Sequence, residues 1–83
     1  MTTIEIKIES FGAIERLIPY QFSLNCEPEI LIGDVFAELA VLFPKSQLLL
    51  DQCACAIGEN IVPRHYTIEH STTLVLLSPV AGG

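Results

Sequence analysis

Two stretches near the start of the chain alternate between apolar and polar residues, which predicts a pair of β-strands. In residues 3–10 the side chains of Ile4, Ile6 and Ile8 fall on one face, and charged residues fall on the other. Residues 20–26 alternate in the same way. A period of two is typical of strands with one buried face. We expect the two strands to pair antiparallel, through a connection that is longer than a tight turn and includes one turn of helix.

A change of period after the second strand predicts one amphipathic helix. Apolar residues recur there at the helical spacings i, i+3, i+4, i+7, i+8 and i+11, namely Ile32, Val35, Phe36, Leu39, Ala40 and Phe43. Pro44 should end the helix, because the residue before a proline disfavours the helical conformation. The start is predicted to be poorly capped, since Leu31 stands where a Ser, Thr or Asp would be expected.

The second half of the chain predicts three short strands. Residues 53–57 read as a strand of small side chains, residues 61–63 as a short edge strand, and residues 73–77 as a buried apolar strand. Residues 45–50 fit either an extra turn of helix or a loop packed on the core. Residues 66–69 are predicted to form a turn in which Ile68 is the buried anchor.

Together these elements predict an α+β fold with one main helix packed across a small mixed sheet. An apolar sheet face and an amphipathic helix bury their surfaces most simply against each other. The first and last strands have the strongest patterns, so we expect them side by side in the centre. The domain is predicted to span residues 1–77. Residues 78–83 are predicted to form an extended tail, because Pro79 cannot donate to a sheet ladder and should end the pairing.

Composition and charge narrow the class of protein. The 83 residues are 51% hydrophobic with a mean hydropathy of +0.52, which indicates one folded domain. A net charge of −6 argues against nucleic acid and anionic membranes as partners and favours a basic protein surface.

No membrane span or secretion signal is recognisable, so we expect a cytoplasmic protein. The apolar excess predicts a surface patch for a partner. Candidates for either that patch or the core are Ile57, Ile61, Val62 and Leu77.

The cysteines and histidines do not form a recognisable reactive or metal-binding motif. The three cysteines, Cys26, Cys53 and Cys55, are odd in number and lack the spacing of zinc or thioredoxin sites. We interpret them as small buried hydrophobic residues. His65 and His70 have no carboxylate or thiol at ligand spacing, so no metal site is expected.

The candidate chemistry lies in the last six residues, which are Ser78, Pro79, Val80, Ala81, Gly82 and Gly83. Extended, they would reach roughly 20 Å, and two glycines without Cβ atoms could enter a narrow channel in another protein. The α-carboxylate of Gly83 is a poor electrophile unless it is activated, for example as a mixed anhydride with a nucleotide phosphate. Ser78 is interpreted as a permissive tail residue. A frayed end without function is the alternative to this hypothesis.

The element order and the ending of the chain resemble the ubiquitin-like β-grasp sulfur carriers, in particular the small subunit of molybdopterin synthase, the MoaD family. In that family two large apolar residues precede Pro-Pro-Val-X-Gly-Gly, and residues 76–83 match this pattern except at Ser78. The resemblance implies a ubiquitin-like β-grasp fold. It also implies that Gly83 is the reacting residue and that Pro79, Val80, Ala81 and Gly82 bind inside a partner.

The resemblance further implies a cycle of activation and sulfur transfer in which this chain is not an enzyme on its own. An ATP-using activating enzyme, MoeB-like, would adenylate Gly83, and a sulfur donor would convert it to a thiocarboxylate. The MoaE-like large subunit of the synthase would then use the sulfur to build the dithiolene of molybdopterin. No cofactor would be bound, and the assembly would be a hetero-oligomer. Alternatives are a sulfur carrier for thiazole or transfer-RNA thiolation, or a protein modifier joined through Gly83 to lysines.

Overall fold

The structure is a computed structural model that describes residues 3–79 of the chain. These residues contain seven strands and two α-helices. The strands are β1 (Ile4–Phe11), β2 (Gln21–Cys26), β3 (Ile30–Leu31), β4 (Ala54–Ile57), β5 (Asn60–Val62), β6 (Thr67–Ile68) and β7 (Thr72–Leu77). The helices are α1 (Ile32–Leu42) and α2 (Gln47–Gln52), with 3₁₀-helices at Ala13–Arg16 and Pro44–Ser46. None of these helices is long and apolar enough to cross a membrane.

The main sheet is mixed and has the strand order β2-β1-β7-β4-β5. β1 and β7 run parallel, whereas the β1–β2, β4–β7 and β4–β5 pairs are antiparallel. The first and last strands are therefore neighbours, and β7 occupies the centre, as the sequence predicts. β2 and β5 are the two edges of this sheet among the described residues.

One face of the sheet is buried under α1. The alternation in β1 turns Ile4, Ile6 and Ile8 into this core, where they are at most 7% exposed. Leu74 and Leu76 of β7 are completely buried beside them. Four residues of the predicted apolar face of the helix are buried here, namely Ile32, Val35, Phe36 and Leu39. The other two, Ala40 and Phe43, are half-buried and pack against the core. The predicted packing of one main helix across the sheet is thus confirmed.

Backbone carbonyls from a distant loop cap the start of α1. Within the described residues no side chain caps this helix, in line with the unfavourable Leu31 at that position. Instead, the Ile32 N–H donates to the Tyr66 carbonyl at 3.0 Å, and the Gly33 N–H donates to the Arg64 carbonyl at 2.9 Å. These bonds satisfy two of the donors that every helix leaves free at its first turn.

The segment that supplies those carbonyls continues into a strand and not into a turn. Residues 67–68 form β6, which pairs antiparallel with β3 in a separate two-stranded sheet. The prediction of a turn over residues 66–69 was therefore wrong, because pairing with a distant partner extends this segment. Its expected anchor is nevertheless correct, since Ile68 is 2% exposed.

Residues 45–50, which the sequence left open, are helical. Pro44–Ser46 is a 3₁₀-helix that leads directly into α2, and Leu50 is the buried residue of α2. The Ser46 hydroxyl donates to the Phe43 carbonyl at 2.6 Å, which satisfies a buried polar side chain at the junction. The apolar run in this region thus buries Leu50 in the core, packs the half-buried Leu49 against it and leaves Leu48 79% exposed.

Arg64 ties α2 and α1 to the loop that caps α1. Its Nη2 donates to the Leu50 carbonyl at 2.9 Å and to the Cys53 carbonyl at 2.8 Å. Its guanidinium carbon lies 3.8 Å from the centroid of the Phe36 ring. One half-buried side chain therefore bonds one carbonyl in the last turn of α2 and the carbonyl of the residue that follows the helix, and it stacks on the apolar face of α1.

Replacing Arg64 with alanine is expected to lower the free energy of unfolding by about 2–4 kcal/mol, since two charge-assisted hydrogen bonds and one cation–π contact are lost. Urea unfolding followed by circular dichroism measures this change. Arg16→Ala is the control, because Arg16 is exposed and its loss should change stability by no more than about 0.5 kcal/mol. Equal effects of the two substitutions would contradict the bracing role of Arg64.

Candidate functional site

Three hydrogen bonds hold Ser78, the first residue of the predicted tail, against β1 and the 3₁₀-helix that follows it. The Ser78 N–H and hydroxyl both donate to the Phe11 carbonyl, at 3.1 and 3.0 Å. Its Oγ accepts from the Ile14 N–H at 2.9 Å. Ser78 is half-buried, and Pro79 beyond it is exposed. The sequence interpretation of Ser78 as a permissive residue missed this anchor.

Gly12 makes the close approach of Ser78 possible. Its φ of +88° lies in a region that side chains with a Cβ rarely adopt. A Cβ built at this position would also lie 2.7 Å from Ser78 Oγ and would overlap the Ser78 carbonyl oxygen. Position 12 therefore requires a glycine for two reasons, which are its positive φ and its close contact with Ser78, the residue that follows β7.

The remaining predicted site residues divide between the described and the undescribed part of the chain. Pro79 lies exposed directly after the anchor, and β7 ends two residues before it, at Leu77. Val80, Ala81, Gly82 and Gly83 lie outside the described residues. The extended tail over residues 78–83 and the role of the Gly83 carboxylate therefore stay predictions.

An apolar patch covers the outer face of the sheet next to this anchor. Phe11, Leu77 and Ala54 are register partners across three adjacent strands, and Val75, Ala56 and Ile61 form a second such row. Register partners share a face of the sheet. We call these six residues the outer patch. Ile61 is 65% exposed, and Phe11 and Leu77 are each 38% exposed. The patch is therefore open to a partner.

The outer patch adjoins the anchor directly. Leu77 precedes Ser78 in the chain, and the Phe11 carbonyl is the group that accepts both Ser78 hydrogen bonds. The Tyr20 ring packs edge-on against Phe11, with 5.4 Å between the ring centroids. A protein that binds the patch would consequently also lie over the start of the tail.

The sequence identified only part of this patch. It gave four residues as candidates for either the core or the patch. Ile57 and Val62 pack against the core, whereas Ile61 and Leu77 belong to the patch. Phe11 and Val75 were missed. Both occupy outward positions in the alternation of their strands, which is a signal that the sequence does contain.

The cysteines do not provide a nucleophile in the described structure. Cys53 and Cys55 are buried, Cys26 is half-buried, and all three are free thiols. Burial raises the pKa of Cys53 and of Cys55, and the nearby Arg64 lowers each pKa only in part. The thiols therefore stay protonated at neutral pH, and a protonated thiol is a weak nucleophile. No group of three potential metal-ligating side chains occurs in residues 3–79.

Comparison with known proteins identifies the fold. No protein-family model matches the sequence, and no curated protein matches it. SAMP1 from Haloferax volcanii is similar in structure, with a TM-score of 0.79 and 14% identity over 95% of this chain and 99% of that chain. A candidate molybdopterin converting factor, subunit 1, from Pyrococcus furiosus has a TM-score of 0.80 and 13% identity over 93% and 99%.

A Caldiarchaeum subterraneum ubiquitin is also similar, with a TM-score of 0.68 and 16% identity over 99% of this chain and 100% of that chain. At such identities the likeness extends to the fold alone. The chain therefore has the ubiquitin-like β-grasp fold, as its resemblance to the sulfur carriers implied.

Gly12→Ala is expected to lower the free energy of unfolding by about 2–4 kcal/mol, because positive-φ strain adds to the overlap with Ser78. Gly58→Ala is the matched control. Gly58 also has a positive φ, but no atom lies within 4 Å of the position that a Cβ would take there, so that only about 1 kcal/mol should be lost. Urea unfolding measures both changes, and amide spectra should reveal altered Ser78 and Ile14 signals in the first variant only. Equal losses would contradict the close approach.

Proposed function

We propose that the protein is a sulfur carrier whose Gly83 carboxylate is loaded by an activating enzyme. The observation that supports this most is the fixed root of the tail. Three hydrogen bonds hold Ser78 at the end of the central strand, directly beside the exposed outer patch. Such an arrangement presents whatever follows Pro79 in a defined direction while a partner holds the body. The proposal takes Gly83 as the last residue of the mature protein.

The chemistry assigned to Gly83 consists of two substitutions without a change of oxidation state. A carboxylate oxygen attacks the α-phosphate of ATP in the active site of the partner, and pyrophosphate leaves. A sulfide-level nucleophile from the sulfur donor then attacks the carbonyl carbon of the acyl adenylate, and AMP leaves. The product is a thiocarboxylate, which is ionised and nucleophilic at neutral pH. This chain binds no cofactor in the cycle, since the partner uses the ATP.

The finer assignment is to the small, non-catalytic subunit of molybdopterin synthase. It is supported by the pattern of residues 76–83 and by the fold shared with the candidate molybdopterin converting factor subunit of Pyrococcus furiosus. In this role the large subunit takes up the tail, and the thiocarboxylate sulfur attacks a carbon that carries an ester oxygen of a cyclic pterin phosphate. The carbon–oxygen bond breaks as the carbon–sulfur bond forms, and the oxygen leaves as part of the phosphate. Water then cleaves the resulting thioester and returns the Gly83 carboxylate. The complex operates in the cytoplasm as a hetero-oligomer.

A second candidate is a ubiquitin-like modifier that is joined through Gly83 to lysines of target proteins. Two similar structures carry such names, the small archaeal modifier protein 1 of Haloferax volcanii and the Caldiarchaeum subterraneum ubiquitin. Activation by an adenylating enzyme is common to both candidates. They differ in the nucleophile that attacks the activated carbonyl, which is sulfur for the carrier and a lysine amine for the modifier.

The outer patch is the surface proposed to meet the activating enzyme and the synthase subunit. Its apolar side chains lose water on binding, which is the main source of affinity at such interfaces. The net charge of −6 favours a partner surface that is basic around an apolar centre.

The sulfur-carrier proposal is tested by intact mass spectrometry of the protein purified from its native cells. The expected result is a species in which one oxygen of Gly83 is replaced by sulfur. Adding one alanine after Gly83 should abolish this species, because the added side chain and carboxylate displace the reacting group. An alanine added at the amino terminus is the control and should not matter. Isopeptide adducts on other proteins instead of sulfur would favour the modifier. A fully loaded variant with the alanine after Gly83 would contradict both.

The role of the outer patch is tested by Ile61→Asp in a binding assay with the copurified activating enzyme. Because Ile61 is 65% exposed, this change should leave the fold intact, and we expect about tenfold weaker binding. Leu48→Asp is the matched control, since Leu48 is 79% exposed on α2 and lies outside the patch. Equal binding by both variants would exclude the patch from the interface.

The pathway is tested by copurifying this chain with its partner and supplying the pair with the pterin precursor. Formation of molybdopterin is the expected result, whereas thiazole synthesis would assign the carrier to that pathway instead.

A further inference from the structure

Within residues 3–79, β2 pairs with another strand on one side only, and the backbone groups on its other side can be identified. On β1, the Glu5 N–H donates to Ser71 Oγ at 2.9 Å, and the Phe11 carbonyl accepts from the Ser78 N–H. Both of these partners lie on the β7 side. The N–H and C=O of one strand residue point the same way, and successive residues alternate. The odd-numbered residues of β1 therefore bond towards β7, and the even-numbered residues bond towards β2.

This alternation determines which residues of β2 face outwards. The even-numbered β1 residues are in register with Phe22, Leu24 and Cys26, so these three complete the ladder to β1. The N–H and C=O groups of Gln21, Ser23 and Asn25 consequently point away from the sheet. Among the described residues, no other strand pairs on that side.

The β2 edge also lacks the usual protection against added strands. Natural edge strands are commonly blocked by charged residues, prolines, bulges or very short length. The sequence of β2, QFSLNC, is six residues long and contains no charge and no proline. It is paired in continuous register from Ile4↔Cys26 to Glu9↔Gln21, without a bulge. An edge of this kind is suited to the addition of an extended segment.

An acidic groove lies beside the end of this edge. A cavity of about 400 Å³ separates the end of β2 from α1, and four of the ten acidic residues of the chain line it, namely Glu27, Glu29, Asp34 and Glu38. Asn25 and Cys26 of β2 line the same cavity, and no basic residue of the described chain does. Burial is the larger cause that raises the pKa of the Cys26 thiol, and the negative charge of Glu38 raises this pKa further. The influence of a charge on α1 agrees with a short distance between α1 and the end of β2.

We propose that the β2 edge and the acidic groove together form a docking site for an extended segment of a partner protein that carries lysine or arginine at alternate positions. The edge supplies backbone hydrogen bonds. The alternate side chains on the α1 side of the added strand meet Asp34 and Glu38. This site lies two strands away from β7, so that its occupant and a partner on the outer patch can bind together.

A second copy of this chain is a poorer occupant of the site. It carries the same carboxylates beside its own edge and the same net charge of −6. Pairing of two β2 edges would bring two acidic bodies together, and repulsion between like charges opposes such an association. A basic segment removes this repulsion and pairs with the carboxylates of the groove.

The site is tested with the full ¹⁵N-labelled chain and a capped octapeptide of alternating lysine and threonine. Threonine favours the extended conformation, and lysine supplies the charge. The expected result is a shift of the Gln21, Ser23, Asn25 and Glu38 amide signals that weakens as salt is added. An octapeptide of alternating glutamate and threonine should cause no such shift.

Two matched pairs of variants separate the edge from the groove. Ser23→Pro removes an outward N–H and leaves the ladder to β1 intact, so peptide affinity should fall at least about fivefold. Ser23→Ala keeps that N–H and should bind normally. Asp34→Asn with Glu38→Gln should weaken binding about threefold or more. Glu15→Gln with Glu59→Gln changes the net charge equally, at positions outside the groove, and should have a smaller effect.

The β1 amide signals of the Ser23→Pro variant report whether the sheet remains formed. With the sheet intact, equal affinities of the proline and alanine variants would overturn the proposal. Shifts confined to the outer patch would also overturn it. A dimer that forms with rising concentration and is lost in Ser23→Pro would assign the edge to a second copy, against the proposal. None of these readouts depends on Gly83, so they do not change if the sulfur-carrier function fails.

Discussion

The parallel pairing of β1 with β7 is the constraint on which the rest of the structure depends. It joins the first strand to the last, so that the sheet is complete only when both ends of the chain are in place. β7 is bonded on both sides, to β1 and to β4, and its Leu74 and Leu76 are completely buried. Ser78 extends this pairing by one residue. Leu77, the residue before Ser78, is paired with β1 on one side and with β4 on the other, so the tail starts from a strand that is held on both sides.

Within residues 3–79, one face of the main sheet has no helix packed on it. The 11-residue helix α1 and the 6-residue helix α2 both pack on the core side. The uncovered face is divided in polarity. Glu5 and Lys7 make it polar near β2, whereas the outer patch makes it apolar beside Ser78. The apolar half is thus concentrated where a protein that handles the tail must bind.

The two candidate surfaces differ in the forces that they offer to a partner. The outer patch provides apolar area and gains its affinity from the loss of water. The β2 edge provides ordered backbone donors and acceptors next to four carboxylates, and gains its affinity from hydrogen bonds and charge. Because β1 separates the β2 edge from five of the six patch residues, this small domain has room for two partners at once. Arg64 contributes to the acidic groove indirectly, since its contact with Phe36 and its hydrogen bond to the Leu50 carbonyl connect α1 to α2.

The sequence by itself determined the elements whose signals are local: the alternating strands β1 and β2, the amphipathic face of α1, the burial of Ile68 and the end of pairing before Pro79. Only the tertiary structure decided how α1 is capped, that β6 is a strand, which outward residues form the patch and that Ser78 is bonded. The physical reason is sequence distance. Periodicity records which face of one element is buried. Ser78, however, bonds to Phe11, which is 67 residues away in the chain, and to Ile14, which is 64 residues away. Contacts of that range leave no periodic trace, and they exist only once β1 and β7 lie side by side.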